Sequence, residues 1–167
     1  LEKNKGRLVP LKKLGDVKAG CYTGINEFFY FDKKPSFKEK IEKEFLKKVI
    51  RNTREVHSIN IGTNKIYSKV FVCQASKKEL AKAKKRGALG YIKWGEKQTG
   101  RKRQKRKTEV LFPHIETVKN RKPGWWAIPK QNVETANLFM LYVINKRFIT
   151  PYSKIAIASD RCFHRIF

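Results

Sequence analysis

Two stretches of the sequence set flat rings beside cations: Gly90-Tyr-Ile-Lys-Trp-Gly95 and Arg121-Lys-Pro-Gly-Trp-Trp126. Rings next to ammonium and guanidinium groups suit stacking on bases or wedging between them, while Lys and Arg neutralise phosphates. Arg forks also match the two acceptors that guanine shows in the major groove. The chemistry on offer is nucleic-acid binding. A Trp pair after Pro-Gly also suits packing at the start of a strand, so one of Trp125 and Trp126 is expected in the core.

Enzymatic chemistry finds less support. There is no Glu-x-Lys tripeptide of the kind that ends many nuclease metal sites, and neither G-x-x-x-x-G-K-[ST] nor G-x-G-x-x-G occurs. His57, His114 and His164 are isolated, with no His-x-x-x-His pair, and read as surface or phosphate-contacting residues. Gly87-Ala-Leu-Gly90 has the spacing of the G-x-x-G loop of a KH RNA-binding domain, but Ala88 and Leu89 suit packing better than phosphate contact. Cys21, Cys73 and Cys162 match neither a disulfide framework nor a metal spacing and read as buried free thiols.

Forty Lys and Arg against 14 Asp and Glu give 167 residues a formal net charge of +26. So large a surplus repels itself unless polyanions relieve it. It is uneven: residues 77–107 hold 14 basic and two acidic groups, and the charge peaks in Arg101-Lys-Arg-Gln-Lys-Arg-Lys107. That run has nothing with which to pack and reads as a solvated basic loop over about 97–108. Eleven Phe, six Tyr and three Trp exclude a disordered basic tail. The longest apolar run, 137–144, is far short of the roughly 20 residues that cross a bilayer. A soluble, cytoplasmic domain is expected. Leu1 in place of an initiator and Phe167 inside a strand run lead us to expect a piece of a longer protein.

Ser36-Phe-Lys-Glu39 is a capping box, and Ile41, Phe45 and Val49 recur at helical spacing, predicting a helix over about 37–51. A second box, Ser76-Lys-Lys-Glu79, predicts a short basic helix that Gly87 would end in the left-handed conformation. Strands are expected over 28–31, 66–72, 138–144, 147–150, 155–158 and 162–167, with Asn145-Lys146 and Ser159-Asp160 as hairpin breaks. The fold class is α+β, a mainly antiparallel sheet with two short inserted helices, in a single domain over 1–167.

The segment Leu14-Gly-Asp-Val-Lys-Ala-Gly-Cys-Tyr-Thr-Gly-Ile-Asn-Glu-Phe-Phe-Tyr-Phe-Asp32 resembles the opening of the target-recognition region of TaqI-like adenine-specific DNA methyltransferases and of the restriction-modification enzymes that share its architecture. Phe45 to Val56 is similar to that family's basic helix end, Gly124-Trp-Trp126 to its Trp-Trp element, and Arg147-Phe-Ile and Cys162-Phe-His-Arg-Ile166 to its closing hairpins. The resemblance runs from about residue 11 to the end. It implies the fold of a DNA methylase specificity domain.

It further implies a non-catalytic domain that reads double-stranded DNA, in a prokaryotic cytoplasm. Its partner would be a catalytic methyltransferase domain of the same parent chain, which holds S-adenosylmethionine and carries the Asn-Pro-Pro-Tyr type motif absent here. Gly20, Thr23, Gly24 and Asn26 match the opening motif; their chemistry suggests a tight turn first and a DNA contact second. On side-chain chemistry, the expected DNA contacts are Arg51, Arg54, Lys93, Trp94, Arg121, Trp126, Lys130 and Arg161, with Arg101, Arg103 and Arg106 holding phosphates. The competing reading is an RNA-binding or ribosome-associated basic domain, followed by a nuclease fragment with an unfamiliar site.

Overall fold

A computed structural model describes residues 6, 8–31, 40–62, 66–100, 109–143 and 149–167. Among them are helices α1 (Leu11–Leu14), α2 (Asn26–Phe29), α3 (Lys77–Lys82) and α4 (Arg86–Gly95). The strands are β1 (Val17–Ala19), β2 (Tyr30–Phe31), β3 (Leu46–Ile50), β4 (Lys69–Phe71), β5 (Ala136–Leu141), β6 (Tyr152–Ser159) and β7 (Phe163–Ile166). They form one curled sheet in the order β1-β7-β5-β6-β3-β4-β2, in which only the β3–β6 pair is parallel. The α+β class and the mainly antiparallel sheet are as expected.

The sheet is covered on both faces where β3 meets β6. Val49 and Ala158 join a large core with α2, α3, α4 and the Trp pair, while Ile50 and Ile157 join a smaller one with Phe139 and Phe163. Successive strand residues point to opposite faces, so a doubly covered strand reads as an unbroken apolar run. That corrects the expected helix over 37–51. Its described part is a turn at Lys43–Phe45 followed by β3, which pairs through Leu46, Lys47 and Lys48 with β4. β-branched Val49 and Ile50 suit a pleated surface better than a helix. The Ser36–Glu39 box lies outside the described residues.

The large core is built on Phe28. Its ring meets Trp125 at 4.5 Å, stacks on Tyr91 at 4.7 Å and meets Phe29 edge-on at 4.9 Å. Tyr91 then donates its hydroxyl to the Phe28 carbonyl at 2.6 Å. Phe28 and Phe29 lie in α2 rather than in the expected strand over 28–31, because both amides donate to the Ile25 carbonyl; only Tyr30 and Phe31 are extended.

The capping box at Ser76 forms as expected: its hydroxyl accepts from the Glu79 amide and the Glu79 carboxylate accepts from the Ser76 amide. Ser76→Ala should lower stability by about 1 kcal/mol, read as a shifted urea midpoint with unchanged slope. The helix ends earlier than expected, with Lys84 rather than Gly87 at positive φ (55°). Gly87 lies inside α4 and is small for another reason. A Cβ there would fall 1.7 Å from the Lys40 carbonyl oxygen. Glu42 closes the same contact, its carboxylate accepting from the Gly87 and Ala88 amides at 3.0 and 2.9 Å. Gly87 to Gly90 are therefore helical, with Gly87 and Ala88 packed against the chain at Lys40 and Glu42, which removes the KH-type loop.

Three strand expectations shift. The one over 66–72 shrinks to β4, the one over 138–144 becomes β5 with Tyr142 and Val143 outside it, and Ile149 and Thr150 are not in a strand. Ser159-Asp160 is not a hairpin break, since β5 lies between β6 and β7 in the sheet. Asn145-Lys146 lies outside the described residues.

Candidate nucleic-acid interface

The Gly20–Asn26 segment is fastened to the corner that follows β6. The Cys21 amide donates to the Ser159 carbonyl at 2.6 Å, and the Arg161 amide donates to the Cys21 carbonyl at 3.1 Å. Gly20 permits this approach, for a Cβ there would lie 2.1 Å from the Asp160 carbonyl oxygen. Gly24 has φ +77°, a conformation that L side chains rarely adopt, and a Cβ would meet Thr117 Oγ1 at 2.6 Å. Thr23 is buried and donates its hydroxyl to Asn26 Oδ1 at 2.7 Å. The four motif residues thus set a turn. Gly24→Ala should cost about 1–3 kcal/mol, the usual range for strain at such a position, measured by chemical denaturation.

What the turn presents is Tyr22, 44% exposed between two buried neighbours. Arg161 lies over its ring at 5.3 Å, and Arg121 points Nη2 at its carbonyl oxygen at 3.5 Å. Arg121 also covers the Phe29 ring at 5.5 Å, and its Nη1 is buried without a hydrogen-bond partner. Burial lowers the Arg121 pKa. Among the described residues neither arginine makes an ion pair. One cation, Arg161, lies over the Tyr22 ring, and a second, Arg121, reaches the Tyr22 backbone.

A second layer stands behind them. Buried Tyr30 donates its hydroxyl to Asp160 Oδ2 at 2.6 Å, while Asp160 Oδ1 accepts from the Cys162 amide at 3.1 Å. Asp160 is thereby turned toward hydrogen-bond donors of the fold rather than toward the Arg161 side chain. Arg51 lies over the other end of this layer, 4.9 Å from the Tyr30 ring. Burial pushes the Tyr30 hydroxyl far up and the Cys21 thiol up to about 12, so both stay neutral near pH 7. The two thiols Cys21 and Cys73 are buried as expected; Cys162 is exposed, on the turn before β7.

The expected contacts therefore divide. Arg51, Arg121 and Arg161 come together from three distant parts of the chain around Tyr22 and Tyr30. Arg54 is exposed on the Thr53–Glu55 turn just after Arg51, its amide held by Asn52 Oδ1. Lys93 and Trp94 stand on α4, Lys93 exposed and Trp94 half-buried with its ring stacked on Tyr91 at 5.3 Å. Lys130 is exposed on the Lys130–Val133 turn. Trp126 is placed differently. It is 5% exposed, lies in the large core beside Trp125, and donates Nε1 to the Ala75 carbonyl at 3.2 Å, which leaves no ring face open to a base. Arg101, Arg103 and Arg106 lie outside the described residues.

Sequence reading missed Tyr22, Tyr30 and Asp160. Their roles depend on contacts between residues up to 130 positions apart, which no local pattern carries. It also missed Arg165. That side chain is 1% exposed and spans the fold, donating to the carbonyls of Ala19, Gln131 and Glu134. Its charge serves the interior, not a ligand.

No group of three or more His, Cys, Asp or Glu among the described residues is placed to hold a metal ion, and no described helix is long and apolar enough to cross a membrane. A search of curated proteins gives no match. Across families, however, residues 2–165 match the C-terminal domain of the type II methyltransferase M.Eco57I. With nearly its whole length covered by that match, the chain belongs to the family of type II methyltransferase C-terminal domains.

Proposed function

We propose that this domain binds double-stranded DNA and fixes which adenine is presented to the catalytic part of a DNA methyltransferase, as the target-recognition domains of the TaqI-like enzymes do. The observation that carries the reading is that Arg161, over the ring, and Arg121, at the backbone carbonyl, meet at exposed Tyr22 without an acidic partner among the described residues. Guanidinium groups left free of carboxylates suit phosphate oxygens and the acceptor pair of guanine, and a partly exposed ring beside them suits stacking. Arg51 and Arg54 extend the same basic edge. The net charge of +26 supplies attraction to any polyanion, and this constellation supplies geometry.

In this reading the domain itself is non-catalytic. S-adenosylmethionine and the groups that grip the flipped adenine belong to the catalytic part, and a prokaryotic cytoplasm is the setting. Phosphate contacts along the Arg101 to Lys107 run would position the duplex without reading it.

The test is a salt titration of the purified chain against random duplex DNA and against a structured RNA of equal phosphate number. Tighter binding to the duplex throughout is expected, with a log–log slope near about −5 if six phosphates are contacted. Preference for the RNA would overturn the proposal. Once a target sequence is selected, Arg51→Ala or Arg54→Ala should lower discrimination between target and random DNA. Equal losses on both would remove these residues from the reading set.

A further inference from the structure

From Leu8 to Ala19 no residue of the chain is buried. The segment is nevertheless ordered. α1 closes with the Gly15 amide donating to the Leu11 carbonyl, and β1 pairs along its whole length with β7, with Asp16 and Phe167 exchanging backbone hydrogen bonds at 3.1 and 3.0 Å. It is also apolar: Leu8, Val9, Leu11, Leu14 and Val17 are 37–73% exposed, and Phe167, joined to it through Asp16, is 45% exposed. These six side chains put on the order of 500 Å² of apolar surface into water, at the upper end of the largest patch on a typical monomer.

The exposed apolar side chains lie mainly before β1, at Leu8, Val9, Leu11 and Leu14, and so contribute little to the domain's own core, and an apolar surface of this size normally marks an interaction site. The composition says with what kind of surface. The stretch from Leu8 to Val17 carries a net charge of only +1, and half of its ten residues are exposed apolar side chains, a surface suited to protein rather than to a polyanion. Its place in the chain narrows the choice further. The family is a C-terminal domain, and the strap lies at the beginning of the matched residues, on the side from which a preceding part of such a protein enters.

We propose that the strap Leu8–Val17, with Phe167, is the docking surface for the catalytic part of the methyltransferase. The inference rests on the methyltransferase reading above and adds to it the surface through which the two parts are held in register. About 500 Å² is over half of what one partner contributes to a standard interface, enough to orient a domain already tethered by the chain.

The experiment is hydrogen exchange on the methyltransferase polypeptide that carries this domain and on the 167-residue chain alone. Peptides covering 8–19 should exchange at least about tenfold more slowly in the longer protein. In that protein L14S/V17S should restore the faster exchange. Both side chains are exposed, so the variant should leave the isolated chain's duplex DNA affinity unchanged. Equal exchange in the two proteins would overturn the proposal. So would sedimentation showing that the isolated chain self-associates through the strap and that L14S/V17S returns it to a monomer, since the occupant would then be a second copy. DNA binding is measured separately, so slower exchange without duplex binding would keep the strap and sink the recognition reading.

Discussion

Arg165→Met should destabilise the domain by about 2–4 kcal/mol, although it removes one cation from a chain with a surplus of 26 and keeps a similar volume. Arg165 holds the carbonyls of Glu134, Ala19 and Gln131 at 2.6, 2.5 and 3.0 Å, joining β7 to β1 and to the turn before β5. Met removes a donor that is 1% exposed and makes three hydrogen bonds, and a hydrogen bond from a charged group contributes about 1.5–3 kcal/mol. Against this stands the cost of keeping a guanidinium out of water, which lowers its pKa and is relieved by the substitution. Three lost bonds outweigh one relieved cation, so the net sign is destabilising. Urea denaturation reads the effect directly; a variant as stable as the parent would mean that those carbonyls find water.

The same substitution guards against a misreading. In a screen that neutralises arginines one by one, Arg165→Met would lower DNA binding by lowering the folded fraction. Arg121 and Arg161 would lower it through the interface. Denaturation midpoints measured beside each affinity separate the two, because neither Arg121 nor Arg161 makes an ion pair among the described residues and their loss strands no buried carboxylate.

The elements legible in the sequence were those whose signals are local. The Ser76 box names its own hydrogen bonds, Gly24 has the one conformation that its neighbours avoid, and β5, β6 and β7 appear as apolar runs of strand length. The errors came where one pattern serves two structures. Ile41, Phe45 and Val49 fit a helical face, yet Val49 and Ile50 are a strand buried on both sides. Gly87 fits a helix end, yet close approach to Lys40 asks for the same residue. Trp126 beside cations fits a stacking platform, yet Gly124 and Ala75 hold it in the core. The candidate interface was half legible. Arg51, Arg121 and Arg161 could be chosen by chemistry, but Tyr22, which gathers two of them, and Tyr30 and Asp160, which back them, are defined only by the fold.

Replacing both Arg121 and Arg161 with Ala should weaken duplex DNA binding by about 100-fold or more near 0.1 M salt, since a hydrogen bond to a charged partner contributes about 1.5–3 kcal/mol. The two losses should not simply add. Both arginines lean on Tyr22, one through its ring and one through its carbonyl, so removing either frees the element that orients the other. Tyr22→Ala should accordingly reproduce part of the Arg161 loss without removing any charge. The salt dependence then separates two roles. If both arginines hold phosphates, the double variant's log–log slope should flatten by about two. If they read bases, the slope should stay nearly unchanged while discrimination between target and random duplex collapses. Unaltered affinity in a double variant whose urea midpoint matches the parent would place the DNA surface elsewhere on the domain, and the exposed Lys93 and Lys130 would be the next residues to test.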